Sequence, residues 1–83
     1  MALRVKVYIT PKRGVLDPQG RAIEASLKSL GFNDVGPVRM GKYIELKVAA
    51  DSPAHAAGEA RRMCEQLLAN SVIEDFRLEV EGA

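Results

Sequence analysis

Apolar and polar residues alternate near the start of the chain, a pattern that predicts a β-strand with one buried face. The apolar members of this alternation are Leu3, Val5, Val7 and Ile9. A period of two residues places all of them on the same side of a sheet. The same alternation recurs over residues 44–48 and 76–80, so these stretches are predicted to be strands as well.

A shorter apolar stretch, residues 35–40, predicts one more strand. It contains Pro37, whose nitrogen has no hydrogen to donate to a neighbouring strand, so this strand is predicted at an edge of the sheet. Gly41 and Lys42 follow and predict a two-residue hairpin loop with glycine first. The hairpin would lead into the strand over residues 43–48.

Between the first predicted strand and this hairpin, apolar residues recur with the period of a helix. Apolar residues recur at Ile23, Leu27 and Leu30, which lie on one side of a helix. Gly31 suits the left-handed conformation that often follows a last helical turn, and Phe32 is placed to pack back onto the helix.

A second helix is predicted from Ser52, the N-cap, and Pro53, the first helical residue. The apolar stripe predicted for this helix consists of Ala56, Ala60, Met63 and Leu67, widened by Ala57, Cys64 and Leu68. Asn70 is predicted to end the helix in the left-handed conformation.

These elements follow the order strand, helix, strand, strand, helix, strand, which predicts an α+β, ferredoxin-like βαββαβ fold. Two helices would cover one face of a four-stranded antiparallel sheet, and residues 1–83 would form a single domain. Right-handed crossovers give the strand order 4-1-3-2, with the second and fourth strands at the edges. Charged residues alternating along the last strand favour an edge position independently.

Candidate catalytic residues are few. His55 is the only histidine and Cys64 the only cysteine, and nine residues of helix place them on opposite sides. No residues have the spacing of a zinc site, and no nucleophile has a base close in sequence. We therefore expect no catalytic site, no metal and no cofactor in this chain.

A lone cysteine fits a reducing compartment, and no apolar run approaches the roughly 20 residues of a membrane span, so the protein is predicted to be cytoplasmic.

Charge is distributed unevenly although the net charge is only +1. Residues 1–47 carry nine Lys/Arg and four Asp/Glu, whereas residues 48–83 carry three and seven. Either these are ordinary solvated charges, or part of the surface complements a partner or a second copy of the chain.

Tyr8 and Tyr43 are predicted on the outer sheet face, where a protein interface fits better than RNA because Glu45 adds negative charge.

The segment "GVLDPQG", residues 14–20, permits several structures. Asp17, Pro18 and Gly20 fit a type I turn or a helix N-cap. A phosphate-binding loop is disfavoured because the segment lacks the P-loop pattern and Asp17 would occupy the same N–H groups. Neither turn nor cap explains Val15 and Leu16, which predict either packing beneath the helix or a surface that a partner covers.

Three stretches of the chain together resemble one family. They are "GVLDPQG", "VRMGKYIEL" and "MCEQLLANSVIEDFRLEV", and with "RVKVYI" they span nearly the whole sequence. The chain resembles PurS, the small subunit of phosphoribosylformylglycinamidine synthase, also called formylglycinamide ribonucleotide amidotransferase. A fainter resemblance of residues 13–16 to ACT-type modules leaves a small-molecule-binding regulatory module as the alternative function.

The PurS resemblance implies a non-catalytic subunit of a complex in de novo purine biosynthesis. In that complex a glutaminase subunit releases ammonia from glutamine. A large synthase subunit uses ATP and Mg²⁺ to convert formylglycinamide ribonucleotide to formylglycinamidine ribonucleotide. The small subunit would form a homodimer or a dimer of dimers, bridge the other two subunits and support ammonia transfer, without contacting nucleic acid or membrane.

We expect the docking surface on two neighbouring segments, the loop over residues 12–20 and the predicted hairpin over residues 39–43. Glycine, basic residues and exposed apolar residues are concentrated in them. The candidate docking residues are Lys12, Arg13, Gly14, Val15, Leu16, Asp17, Gln19, Arg39, Lys42 and Tyr43.

Overall fold

The computed structural model describes residues 2–82, and within them three strands and two helices form. The strands are β1 (Ala2–Pro11), β2 (Lys42–Ala49) and β3 (Glu74–Gly82). The helices are α1 (Pro18–Ser29) and α2 (Pro53–Met63), and α2 continues into a π-helical turn, Cys64–Leu68. The α+β class is as predicted.

The sheet has β1 at its centre and the order β2-β1-β3, with both neighbours antiparallel to β1. This order matches the 4-1-3 part of the predicted 4-1-3-2 arrangement. The predicted edge position of the charged last strand is confirmed, since β3 has a neighbour on one side only.

The core lies between one face of the sheet and α2. The alternating residues of β1 that were predicted to face inward are all buried, namely Leu3, Val5, Val7 and Ile9. Against them lie Ala56 and Ala60 of α2 and Cys64 of the following π turn, none of which has exposed surface. Their spacing of four residues keeps small side chains on one side of the helix, which lets α2 lie close to the sheet. Burial of each large β1 side chain stabilises the fold by about 1.5–3 kcal/mol.

Two helix ends, the start of α2 and the end of α1, have the structure that the sequence predicts. Ser52 caps α2, its Oγ accepting the N–H of His55 at 3.1 Å. Gly31 adopts a φ of 102° after α1, which glycine tolerates because it has no Cβ. The N–H of Phe32 then donates to the Leu27 carbonyl at 3.0 Å, completing a Schellman motif.

The predicted strand over residues 35–40 is wrong, and so is the Gly41-Lys42 hairpin. No strand forms between α1 and β2 in the described chain, and Lys42 is the first residue of β2 rather than a loop residue. Within residues 2–82 the sheet therefore has three strands instead of four, and β2 lies at one edge of it. The backbone N–H groups of Val38 and Met40 bond to carboxylates instead of to a strand.

The prediction that both helices cover the sheet is wrong for α1. Of the elements in residues 2–82, α1 is the one without extensive contact to a strand or to the other helix. Only Gly20 of this helix is buried. The radius of gyration is 16.1 Å, compared with about 12 Å for a compact domain of this length, because α1 extends away from the sheet.

The stripe predicted for α2 is corrected at its C-terminal end. Met63 is exposed, and Leu67 is 82% exposed. The π turn, closed by the N–H of Ala69 on the Cys64 carbonyl at 3.0 Å, adds a residue to the turn and brings Ala69 inward instead. Asn70 is also not left-handed, since no non-glycine residue in 2–82 has a positive φ. Its Oδ1 accepts the N–H of Val72 at 3.1 Å, which stabilises the turn into β3.

Candidate partner-docking site

The loop after β1 ends in a helix cap, which decides between the structures that its sequence allowed. Asp17 is the N-cap of α1: its Oδ1 accepts the N–H of Gly20 at 2.9 Å. Pro18 is the first helical residue, where its missing N–H and fixed φ fit without cost. The first helical bond runs from the N–H of Arg21 to the Asp17 carbonyl at 3.0 Å.

Asp17 also bonds to a distant part of the chain. Its Oδ2 accepts the N–H of Met40 at 2.8 Å. These two bonds, first that from Gly20 and then that from Met40, lower the pKa of Asp17, helped by the nearby Arg39 charge. The carboxylate thus stays ionised at neutral pH and keeps both of its acceptors.

Glu24 forms a second link between α1 and the same segment. Its Oε1 accepts the N–H of Val38 at 3.1 Å, and its Oε2 lies 3.2 Å from Lys28 Nζ. The Lys28 bond is the larger cause, and the Val38 bond the next, of the lowered pKa of Glu24. Residues 38–40 are therefore attached to α1 rather than to the sheet.

Two glycines allow this close approach. A Cβ on Gly20 would overlap the Val38 carbonyl oxygen and lie 2.6 Å from Asp17 Oδ2. A Cβ on Gly41 would overlap the carbonyl oxygen of Ile9 in β1. Side chains at either position would therefore force the backbone apart, so both are sites where glycine is required by packing.

A groove of 470 Å³ lies where these segments meet. We call it the loop groove. It is lined by Pro11 and by residues 15–19, 40–42 and 73–74. Leu16 is 72% exposed at its rim, and Met40 and Ile73 are exposed beside it. Exposed apolar side chains around a concave surface are typical of a protein-binding site.

Charged groups surround the loop groove. Lys42 Nζ lies 3.4 Å from Glu74 Oε2, and Lys12 Nζ lies 3.8 Å from Asp75 Oδ1. A bond from the Asn70 N–H, followed by the Lys42 charge, lowers the pKa of Glu74. Within residues 2–82, Arg13 and Arg39 belong to no ion pair, and the charge of Arg39 acts on Asp17 in the lining of the loop groove.

The family model of PurS, described as phosphoribosylformylglycinamidine (FGAM) synthase, matches residues 4–82. The chain belongs to the PurS family. The PurS subunit of phosphoribosylformylglycinamidine synthase from Bacillus subtilis is 50% identical over 78 residues, covering 94% of this chain and 92% of the relative. The subunit of the same name from Synechocystis is 46% identical over 81 residues, covering 94% and 81%.

Solved PurS structures share the fold of this PurS-family chain. A crystal structure of Bacillus subtilis PurS has a TM-score of 0.82 at 49% identity, covering 95% of this chain and 98% of the other. A chain of the structure called PurLQS from Thermotoga maritima has a TM-score of 0.88 at 29% identity, covering 96% and 98%. The PurS matches favour the first of the two functions inferred from the sequence over the ligand-binding module.

The structure brings together about half of the residues predicted for docking in this PurS-family chain. Those that line the loop groove are Val15, Leu16, Asp17, Gln19 and Lys42. Gly14, with a φ of 82°, lines a neighbouring hollow of 300 Å³ on the other side of Leu16. The remaining members Lys12, Arg13 and Arg39 lie outside both linings, and Tyr43 points to the outer sheet face.

Nothing in the sequence pointed to Glu24, which holds Val38 to α1, or to Ile73 and Glu74, which line the loop groove of this PurS-family chain. Ile73 and Glu74 are distant in sequence from the loop, and only the pairing of β3 with β1 brings them to it. Met40 lies within the segment predicted as a hairpin, residues 39–43, and lines the loop groove.

The outer sheet face of the PurS-family chain pairs its two tyrosines. Tyr8 and Tyr43 lie directly opposite each other, with ring centroids 5.1 Å apart. The Tyr43 hydroxyl donates to Glu45 at 2.7 Å, and this bond raises the pKa of Tyr43 to about 12. The Tyr8 hydroxyl donates to Glu79 at 2.6 Å, and the Arg77 guanidinium lies 4.2 Å from the Tyr8 ring centroid. Contacts with Glu45, Glu79 and Arg77 thus fix the positions of both tyrosine rings.

His55 and Cys64 occupy separate environments. His55 is exposed, with Nε2 3.5 Å from Glu59 Oε1, and Cys64 is buried in the core, where burial raises the pKa of its thiol. Cys64, the first residue of the π turn after α2, packs in the core with Ala56 and Ala60. Within residues 2–82 no His, Cys, Asp and Glu side chains group closely enough to hold a metal ion. None of the helices there has the length and apolar stretch needed to cross a membrane.

Proposed function

We propose that this PurS-family chain, a non-catalytic subunit of phosphoribosylformylglycinamidine synthase in purine biosynthesis, bridges the glutaminase and synthase subunits of that complex. It would support the transfer of ammonia between their active sites. The relative from Thermotoga maritima solved as PurLQS supports an assembly of this kind. We assign ATP and Mg²⁺ to the synthase subunit, and we place the complex in the cytoplasm.

The observation that carries the bridging proposal is the loop groove. Leu16 extends into solvent at its rim although nearby apolar residues of β1 are buried. Covering the exposed part of Leu16 with a partner's apolar surface contributes up to about 1.5–3 kcal/mol to association. The charge of Arg39, which acts on Asp17 in the groove lining and belongs to no ion pair within residues 2–82, favours a partner surface that carries carboxylates.

Bridging has a chemical purpose in this reaction. Ammonia that leaves one active site is lost to protonation and dilution unless the second active site is held close to the first. A subunit that orients the two enzymes converts an encounter in solution into a transfer within one assembly. The chain needs no catalytic group to do this.

Leu16→Asp tests the bridging role in the reconstituted three-subunit complex. We expect the synthesis rate with glutamine as nitrogen donor to fall about tenfold or more, because a carboxylate replaces the apolar contact. The rate with added ammonia should stay within twofold of that of the unchanged complex. The control is Leu67→Asp, which places the same charge at an equally exposed leucine outside the groove. If Leu16→Asp leaves both rates unchanged, the loop groove is not the docking surface.

We propose further that the chain forms a homodimer, or a pair of homodimers, through the apolar side of α1. This side carries Ile23, Leu27, Leu30 and Phe32. Leu30 is 75% exposed and Phe32 57% exposed, and no described element packs on the helix extensively. A second copy is the natural cover, since an amphipathic helix of a small domain gains most of its stability from packing.

Leu30→Asp tests the dimer by light scattering after size-exclusion chromatography. We expect a dimer or tetramer for the unchanged chain at micromolar concentration and a smaller species for the variant. Ala25→Asp is the matched control, because it introduces the same charge on the opposite side of α1. A monomeric unchanged chain, or a Leu30→Asp variant of unchanged mass, would contradict the proposal.

A further inference from the structure

The Asp17 side chain joins two parts of the chain that are 23 residues apart. One carboxylate oxygen accepts the N–H of Gly20 in the first turn of α1, and the other accepts that of Met40, just before β2. We propose that Asp17 is a positioning residue that clamps residues 38–41 to the start of α1, so that two walls of the loop groove keep a fixed spacing.

The bonding pattern around residues 38–40 shows what the clamp replaces. The N–H groups of Val38 and Met40 both point towards α1, as alternate N–H groups do along one edge of a strand. Carboxylates of Glu24 and Asp17 accept them in place of the carbonyls of a neighbouring strand. This accounts for a segment with the residue pattern of a strand that pairs with no strand in the described chain.

The clamp determines geometry because α1 has little else to hold it. The helix lacks extensive contact with the sheet, and only Gly20 of it is buried. Gly20 also lies against the Val38 carbonyl, so closely that a Cβ there would overlap its oxygen. At its other end the segment is fixed to β1, where Gly41 lies against the Ile9 carbonyl and Lys42 pairs with Ile9. Asp17 thus sets where α1 stands relative to the sheet.

The consequence for the complex rests on the proposed docking function, whereas the clamp itself does not. Pro18 and Gln19, on one wall of the loop groove, belong to the turn that Asp17 caps. Met40 and Gly41, on the facing wall, belong to the segment that Asp17 holds. Without the clamp the two walls would separate, and a partner would meet a surface that no longer has a single shape.

Asp17→Ser separates the two roles of the carboxylate. Serine is a good N-cap and can still accept from Gly20, but its hydroxyl is too short to bond Met40 as well. We expect the Met40 amide hydrogen of the full chain to exchange about tenfold faster by NMR, with Gly20 exchange changed less than threefold. Ser52→Asp, which exchanges one good cap for another on α2, should leave Met40 exchange unchanged.

Asp17→Asn provides a second variant of nearly the same shape. An amide has one acceptor oxygen, so it can retain the Gly20 bond or the Met40 bond but not both. Unchanged protection of both amides in Asp17→Asn, or of Met40 in Asp17→Ser, would overturn the clamp.

The assembled complex separates failure of the clamp from failure of the docking function. If Asp17→Ser accelerates Met40 exchange and lowers the glutamine-dependent rate while sparing the ammonia-dependent rate, both ideas are supported. If exchange accelerates and both rates stay unchanged, the clamp is supported and its role in docking is overturned.

Discussion

Replacing Gly20 with alanine is expected to destabilise the chain, whereas replacing Gly58 with alanine is expected to stabilise it. Both glycines lie inside helices, α1 and α2. Helix propensity alone favours alanine at either position by up to about 1 kcal/mol. The surroundings differ, since a Cβ on Gly58 would meet nothing within 4 Å but one on Gly20 would overlap backbone and carboxylate atoms.

The size of the expected change in the free energy of unfolding follows from these surroundings. At Gly20 the obstructing atom is the backbone carbonyl oxygen of Val38, which cannot rotate away as a flexible side chain would. Forcing an extra carbon into such a site costs about 1–3 kcal/mol, which exceeds the propensity gain. We expect Gly20→Ala to lower the free energy of unfolding by about 1 kcal/mol and Gly58→Ala to raise it by about 0.5–1 kcal/mol.

The assay is thermal and urea unfolding of both variants and the unchanged chain at one protein concentration. The concentration must be fixed because self-association shifts apparent stability. The two variants should differ in Tm by about 6–16 °C for a domain of this size. If Gly20→Ala stabilises the chain as much as Gly58→Ala does, the tight packing of residues 38–40 on α1 is refuted.

Three more predictions concern the cap of α2, the core and the outer sheet face. Ser52→Ala should lower the free energy of unfolding by about 1 kcal/mol, with Ser52→Asp as the control that keeps a cap; an equal loss in both would argue against capping. Ile9→Ala, at a 1% exposed position, should cost about 2–5 kcal/mol in urea unfolding, and a loss below 1 kcal/mol would contradict its place in the core. Because its bond to Glu45 raises the pKa of Tyr43 to about 12, that bond should stabilise the fold fully below pH 10 and cease to do so as the pH rises through about 12. Tyrosinate absorbance in a Tyr8→Phe variant should therefore have its midpoint near 12, and a midpoint near 10 would show that the bond does not form.

The local structure of the chain could be predicted from the sequence because its causes are local. Alternation over residues 3–9 specified the buried strand, and Ser52 and Gly31 specified a helix start and a helix end. In each case the residue acts on a backbone conformation within a few positions of itself. The strand order among β1, β2 and β3 followed as well, since few topologies satisfy the crossover rules.

Part of the candidate site could also be predicted from the sequence, because the signal for it was local. Leu16 was identified as unexplained by turn chemistry, and it is exposed at the groove. Ile73 and Glu74 were not found, because nothing near them in the sequence indicates that β3 returns to the end of β1 beside the loop.

The sequence was enough to predict the strands β1, β2 and β3, the end of α1, the start of α2 and the α+β class, because these depend on side-chain periodicity and on residues with particular backbone preferences. Only the tertiary structure decided that residues 35–40 form no strand and that α1 leaves the sheet. The physical reason is competition for hydrogen bonds over a long sequence distance. The N–H groups of Val38 and Met40 donate to the carboxylates of Glu24 and Asp17, which take the place of the carbonyls of a neighbouring strand.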